Sequence, residues 1–183
     1  MPPGAPKDDD APGTLGTVAL LGAIVVGFAL MPRLFGHSEG PLAGKDAPEV
    51  ALKLVANAPS VGDQFSLSAL HGHPVLLDFW ATWCRPCQAE APVVDRIAQR
   101  YRDQGLAVIG VNTSDQNGNA GPWARQHGIS YPIAYDAGDR AAAAYGVENL
   151  PTLVVISKAG KVVAVRTGTT SDAELDSLVK REL

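Results

Sequence analysis

Residues 75–87 read Val-Leu-Leu-Asp-Phe-Trp-Ala-Thr-Trp-Cys-Arg-Pro-Cys. Val75 to Ala81 is an almost continuous apolar run, the pattern of a strand buried on both faces at the centre of a sheet. The period then changes. Val93, Val94, Ile97, Ala98 and Tyr101 recur at helical spacing, with Gln88, Arg96 and Arg100 on the wet side, which predicts a helix over 82–102 with a kink at Pro92. The two cysteines therefore stand where a buried strand turns into a helix. A helix N-terminus carries unpaired N–H groups and a partial positive charge, and Arg85 adds a full one. Both favour a thiolate over a thiol, and such positions lower a cysteine pKa to about 3.5–7.5. Cys84 is thus the candidate nucleophile. Cys87, one turn further and expected to be more buried, is the candidate resolving thiol.

Cys84 and Cys87 are the only cysteines in 183 residues. A bridge across so short a loop restrains little of the unfolded chain, and a disulfide framework needs more cysteines spread wider. Redox chemistry or half of a metal site remain. Tetrahedral zinc wants four ligands. No second C-x-x-C exists, and His71 and His73 read as a turn ahead of the strand. No metal and no cofactor other than the cysteine pair is expected. The net charge is −4, from 15 basic and 19 acidic residues. With no basic block there is no electrostatic footprint for nucleic acid.

Working outward, Val50, Leu52 and Leu54 alternate as a short strand, and Phe65, Leu67 and Leu70 suggest a second short element. Downstream, strands are predicted at 106–111, 131–135, 152–156 and 161–166, the last two forming a hairpin around Lys158-Ala159-Gly160. Helices are predicted at 122–127, closed by Gly128, and at 139–145, closed by Gly146. A last helix spans 171–183, with Ser171 as N-cap and Glu174 completing a capping box. This order gives an α/β layer, a sheet flanked by helices.

Upstream, residues 1–13 are rich in proline, glycine and aspartate and carry no packing pattern. Thr14 to Met31 is uncharged and close to the length that spans a bilayer core of roughly 30 Å. It is long for a signal h-region, its n-region is acidic, and no A-x-A site follows closely, so a retained transmembrane anchor is expected rather than a cleaved signal. Lys7 before it and Arg33 and Lys45 after it do not orient it. Residues 36–48 read as a tether. The expected domains are a disordered 1–13, an anchor 14–31, a linker 32–44 and a globular domain 45–183.

The run DFWATWCRPC, residues 78–87, resembles the active-site signature of the thioredoxin superfamily. Leu150-Pro151-Thr152 before a strand is similar to that family's cis-proline loop, and Gly168 fits a further family position. The resemblance covers residues 45–183. It implies a thioredoxin fold, a central mixed sheet flanked by helices, here with an inserted helix–strand element at 112–135 and an N-terminal transmembrane helix. That insert, the apolar segment and the phrase A-x-W-C-x-P-C-x-x-E-x-P from Ala81 to Pro92 resemble membrane-anchored TlpA/ResA-type proteins. Those are extracytoplasmic reductants of cytochrome c maturation or copper-centre assembly.

The resemblance assigns Cys84 as nucleophile, Cys87 as resolving thiol, Pro151 as the proline shaping the substrate groove, and Glu90 as the acid after the motif. Trp83, Arg85, Pro86 and Leu150 would face substrate, Trp83 shielding Cys84 and the Leu150 backbone pairing with an extended segment. Asp78 departs from the asparagine of many TlpA/ResA-type sequences and resembles the buried acid of thioredoxin. Burial raises a carboxyl pKa, which suits Asp78 to exchange a proton with Cys87. The sequence does not rank Asp78 against Glu90, and it gives the loop 113–121 no role. The implied partners are a protein disulfide, such as apocytochrome c or a copper-assembly protein, and a membrane thiol electron donor. The implied location is the cytoplasmic membrane, crossed once, with the catalytic domain in the periplasm.

Two other functions are open at this stage. A Cu(I)-binding assembly factor would use both thiolates and a distant histidine, for which His127 is the candidate. A thiol peroxidase of the peroxiredoxin type would place its cysteine in a T-x-x-C context, whereas Thr82 stands two residues before Cys84.

Overall fold

The computed structural model describes residues 42–58 and 62–183. The N-terminal stretch 1–13, the apolar segment 14–31 and residues 36–41 of the tether lie outside the described residues. Among the described residues no helix is long and apolar enough to cross a membrane. The strands are β1 (Ala51–Ala56), β2 (Gln64–Ser66), β3 (Val75–Trp80), β4 (Ala107–Asn112), β5 (Ile133–Tyr135), β6 (Thr152–Ile156) and β7 (Val162–Thr167). They form one sheet in the order β2-β1-β5-β4-β3-β6-β7. The helices are α1 (Arg85–Tyr101), α2 (Ala120–Gln126), α3 (Arg140–Ala144) and α4 (Asp172–Lys180).

The sheet is mixed, as expected. β3, α1 and β4 make a crossover unit with β3 and β4 parallel, while β6 returns antiparallel on the other side of β3. The inserted element is α2 and β5, and β5 enters the sheet between β4 and β1. All six residues of β3 are buried. Alternation along the strand sends Leu76 and Trp80 into one core, with α1, α2 and α4, and Val75, Leu77 and Phe79 into the other, with α3 and β1. The same alternation turns Asp78 toward the α1 side.

Several local expectations need correction. Helix α1 begins at Arg85 rather than 82, because Cys84 itself caps it and Pro86 sits in the first turn, where a missing N–H costs nothing. The helix continues through Pro92 to Tyr101. Asp139, at the start of α3, has φ 55° and turns its carboxylate elsewhere; Asp136 accepts the Ala141 and Ala142 N–H groups instead, both at 2.9 Å. Half of the capping box at α4 forms. Ser171 Oγ accepts from Glu174 N at 3.3 Å, but the Glu174 carboxylate accepts from Arg166 Nε at 2.9 Å. Part of the supposed tether is fastened to the sheet edge: Gly44 N donates to Val162 O (2.8 Å), Val162 N to Lys45 O (2.9 Å) and Ala47 N to Gly160 O (2.8 Å). Backbone pairing of this kind needs no apolar pattern, which is why it leaves no trace in the sequence.

Candidate active site

Cys84 and Cys87 are joined by a disulfide, with Cα atoms 5.2 Å apart. Cys84 is the N-cap of α1, and its Sγ accepts the Cys87 backbone N–H at 3.2 Å. This is the orphan-donor geometry that stabilises negative charge on sulfur. The difference in burial expected between the two cysteines is not seen. They are 4% and 3% exposed, since both sulfurs face the α1-side core in the bonded state. Arg85 and Pro86 lie between them in the first turn of the helix.

The loop from Trp80 to Cys84 is held at several backbone groups. Thr82 N donates to Asp115 Oδ2 at 2.7 Å, and Thr82 O accepts from Gln88 Nε2 at 2.9 Å. Thr113 N donates to Trp80 O at 3.0 Å, and Cys84 N to Ala81 O at 3.1 Å. Trp83 is the exposed large hydrophobic among the described residues, at 62%, and its Nε1 donates to Ser114 O at 2.8 Å. It therefore stands out beside the disulfide against loop 113–119. Trp80 is core, 4.7 Å between ring centroids from Trp123.

The Leu150–Pro151 peptide bond is cis. Thr152 pairs with Phe79 in the β3–β6 ladder, so one step further along the same register Pro151 lies beside Trp80, where the cysteine loop leaves the sheet. Pro151 O accepts from Gly168 N at 2.9 Å, so the glycine singled out in the sequence anchors the proline loop.

Two buried acids share the α1 side of the sheet with the disulfide. Asp78 is 3% exposed, and burial first, then the charge of Glu90, pushes its carboxyl up to about 7; a hydrogen bond from Tyr131 Oη at 2.9 Å opposes the rise. Glu90 is 2% exposed and is also raised by burial, against the pull of hydrogen bonding from Thr170, whose N–H reaches Glu90 Oε1 at 2.6 Å. Among the described residues Glu90 Oε2, Trp80 Nε1 and Asn112 Oδ1 are buried without a hydrogen-bond partner. Gly110, paired with Asp78 across the β3–β4 ladder, makes this arrangement possible. A Cβ there would meet Ile133 Cδ1 at 2.6 Å, the Tyr131 ring at 3.0 Å and Trp80 Nε1 at 3.1 Å.

At the rim the acids behave oppositely. Asp115 accepts from Thr82 N, Asn112 Nδ2 (3.0 Å), Gln116 N (2.8 Å) and Asn119 Nδ2 (3.2 Å). Burial pushes its carboxyl up, yet these donors together hold it below the ordinary value. Asp139 accepts from Ser114 N at 2.6 Å and Thr113 Oγ1 at 2.7 Å, which likewise hold it low.

The structure thus gathers the cysteines, Asp78, Glu90, Trp83 and the Leu150–Pro151 loop at one end of β3. Sequence reasoning missed Tyr131, Gly110 and Asp115. Ser114-Asp115-Gln116-Asn117 has turn composition, but nothing in it names Thr82 as the partner. Among the described residues no group of three or more His, Cys, Asp or Glu is arranged to hold a metal ion. His127 is stacked on Trp123 at 3.9 Å, with Nδ1 2.9 Å from Trp123 O. His73 Nδ1 lies 3.2 Å from Gly105 O.

Three comparisons bear on this site. Residues 43–165 match the AhpC/TSA family. Over 156 residues the chain is 31% identical to the thiol-disulfide oxidoreductase ResA of Bacillus thuringiensis (strain Al Hakam), covering 85% of this chain and 87% of that one. Among solved structures it is similar to a thiol:disulfide interchange protein of the thioredoxin family from Chlorobium tepidum TLS, with TM-score 0.65 and 28% identity over 79% of this chain and 99% of that one. It is also similar to a secreted Mycobacterium tuberculosis disulfide oxidoreductase homologous to Escherichia coli DsbE, with TM-score 0.61 and 25% identity over 72% and 95%.

Proposed function

We propose, from the premise that the chain belongs to the AhpC/TSA family and to the ResA-like thiol–disulfide oxidoreductases of thioredoxin fold, that it reduces protein disulfides outside the cytoplasm. The observation that carries the reading is the Cys84–Cys87 disulfide at the N-terminus of α1, with the Leu150–Pro151 loop at the same end of β3 and a buried acid on that strand. In the reduced protein the Cys84 thiolate attacks one sulfur of the substrate disulfide. The substrate S–S bond breaks, its second sulfur leaves as a thiolate and takes a proton, and Cys84 is left in a mixed disulfide.

Cys87 then gives its proton to the Asp78 carboxylate and attacks Cys84 Sγ. The remaining substrate sulfur departs and is protonated, and the Cys84–Cys87 disulfide forms. Two electrons have passed to the substrate. An acid poised near neutrality is suited to that proton exchange. Glu90 takes the Thr170 N–H and its charge adds to the rise of the Asp78 carboxyl, so the two acids act as a coupled pair rather than as rivals. Trp83, Arg85, Pro86 and Leu150 form the substrate face around the cysteines, the exposed Trp83 ring offering apolar contact.

The apolar segment 14–31 supports a single-pass anchor with the catalytic domain in the periplasm, fed by a membrane thiol donor. The substrate is of the apocytochrome c or copper-assembly type, as the resemblance implies. The peroxidase reading requires Cys84 to react alone, and its disulfide with Cys87 supports the dithiol cycle instead.

The test is a redox titration of the Cys84–Cys87 couple with insulin reduction as the activity. A potential near about −270 mV supports a reductant, and one near about −120 mV sinks it. Cys87→Ser should accumulate mixed disulfides with protein substrates, while Cys84→Ser should form none. A topology reporter fused after Leu183 should be active outside the cytoplasm.

A further inference from the structure

The insert carries a contact that the dithiol cycle does not by itself explain. Asp115 lies in the connection after β4, 31 positions beyond Cys84 in sequence, yet its carboxylate takes the backbone N–H of Thr82 at 2.7 Å. Thr82 is two residues ahead of the nucleophile, within about 7 Å of it along the chain. The remaining lone pairs of Asp115 are used by Asn112, Gln116 and Asn119, which fix the carboxylate itself. Asn112 is fully buried, and its carboxamide meets the clamp through Nδ2. The neighbouring carbonyl of Ser114 receives the Trp83 ring N–H, so the same loop also sets the ring beside the disulfide. Gln88 of α1 closes the other side of Thr82.

We infer that Asp115 is a positioning residue for Cys84: it holds the loop from which the thiolate attacks, and its fixed negative charge makes that thiolate less stable and the couple more reducing. The inference rests on the reading of Cys84 as nucleophile. The physical reason is balance. The α1 N-terminus, the Cys87 N–H and Arg85 all stabilise sulfur anion. A strongly stabilised thiolate makes a good leaving group and hence an oxidant. A carboxylate held ionised by four donors, at the start of the same loop, works against them. The other titratable groups around Cys84 are Cys87 and Glu90 on α1, Asp78 on β3 with Tyr131 beside it, and Asp139, which reaches the loop only through Thr113 and Ser114. Of these acids, Asp115 is the one whose carboxylate is hydrogen-bonded directly to the backbone of the cysteine loop, and its donors hold it below the ordinary value.

Asp115→Asn removes the charge and keeps an acceptor for Thr82, while Asp115→Ala removes both. In the reduced Cys87→Ser background, titration of thiolate absorbance should show the Cys84 acid dissociation constant rising several-fold in Asp115→Asn. The equilibrium of the two-cysteine protein with glutathione should shift toward the dithiol by a similar factor. Asp115→Ala should in addition raise KM for protein disulfides, because Trp83 and Thr82 lose their support. A Cys84 titration and glutathione equilibrium unchanged within twofold in both variants, whatever their stability, would overturn the inference and leave the dithiol cycle standing. Were Cys84→Ser to keep the acidic thiol and form the mixed disulfide, the assignment of the nucleophile would fall, and this inference with it.

Discussion

The carboxylates buried on the α1 side of the sheet and those at the rim of the site are the same chemical group in opposite conditions. Asp78 and Glu90 are each served by a single hydrogen-bonding residue and are closed off from water, so desolvation governs them and their pKa values rise. Asp115 and Asp139 lie nearer solvent and collect several N–H and O–H donors, so hydrogen bonding governs them and their values fall. The difference separates two tasks. A carboxyl that must take and return a proton near neutrality needs few donors and much burial. A carboxylate that must hold a loop needs many donors and a permanent charge.

The largest effect should come from Asp78→Asn. The unfolded chain loses this proton near the ordinary value of 3.8, the folded protein only near 7. Between those values the folded state keeps a proton that the unfolded state has lost. Stability therefore falls as pH rises from about 4 to about 7 and stays at the lower level above that. Removing the burden should stabilise the oxidised protein at pH 8 by about 2–4 kcal/mol and flatten the decline between pH 4 and 8, leaving the part due to Glu90. Urea unfolding at both ends of that range measures it. The same variant should slow resolution of the mixed disulfide by about 100-fold. Equal stability at pH 8 would break the comparison at its buried end.

Gly110→Ala should come next, at a cost of about 1–3 kcal/mol, because the new methyl group meets Ile133 and the Tyr131 ring. It should also disturb the pH dependence of resolution by shifting Tyr131 away from Asp78. At the rim, Asp139→Ala should cost about 1–2 kcal/mol at pH 7 by leaving Ser114 N and Thr113 Oγ1 without their acceptor. Here the sign is reversed. A depressed carboxyl stabilises the fold above its unfolded value and loses that contribution as pH falls through the folded one, so the deficit should shrink on acidification toward pH 3. The smallest change in stability, about 1 kcal/mol, is expected for Tyr131→Phe. Its diagnostic is direction: without the hydroxyl, Asp78 should titrate higher still, moving the pH midpoint of resolution upward.

The strand, the cysteine turn, the helix, the hairpin and the cap at Ser171 were legible because each is a pattern among neighbours in sequence. Burial on both faces writes a continuous apolar run, and a turn needs its own residue types. Asp78 is legible only as an acid in a buried strand. Its partner, Tyr131, is 53 positions away and reads in the sequence simply as the start of a strand. Asp115 carried no sign at all, since a loop aspartate with turn neighbours looks alike whether it caps a distant loop or faces water.

By itself the sequence determined the chemistry: two thiols one helical turn apart, a positive helix end, and an acid on the adjoining strand. Only the tertiary structure decided how those groups are tuned. Spacing along the chain fixes which atoms can react, through bond geometry that any three or four residues impose. Desolvation and donor count depend on what the sheet and the insert bring up from far along the chain. They raise one pair of carboxylates and lower the other.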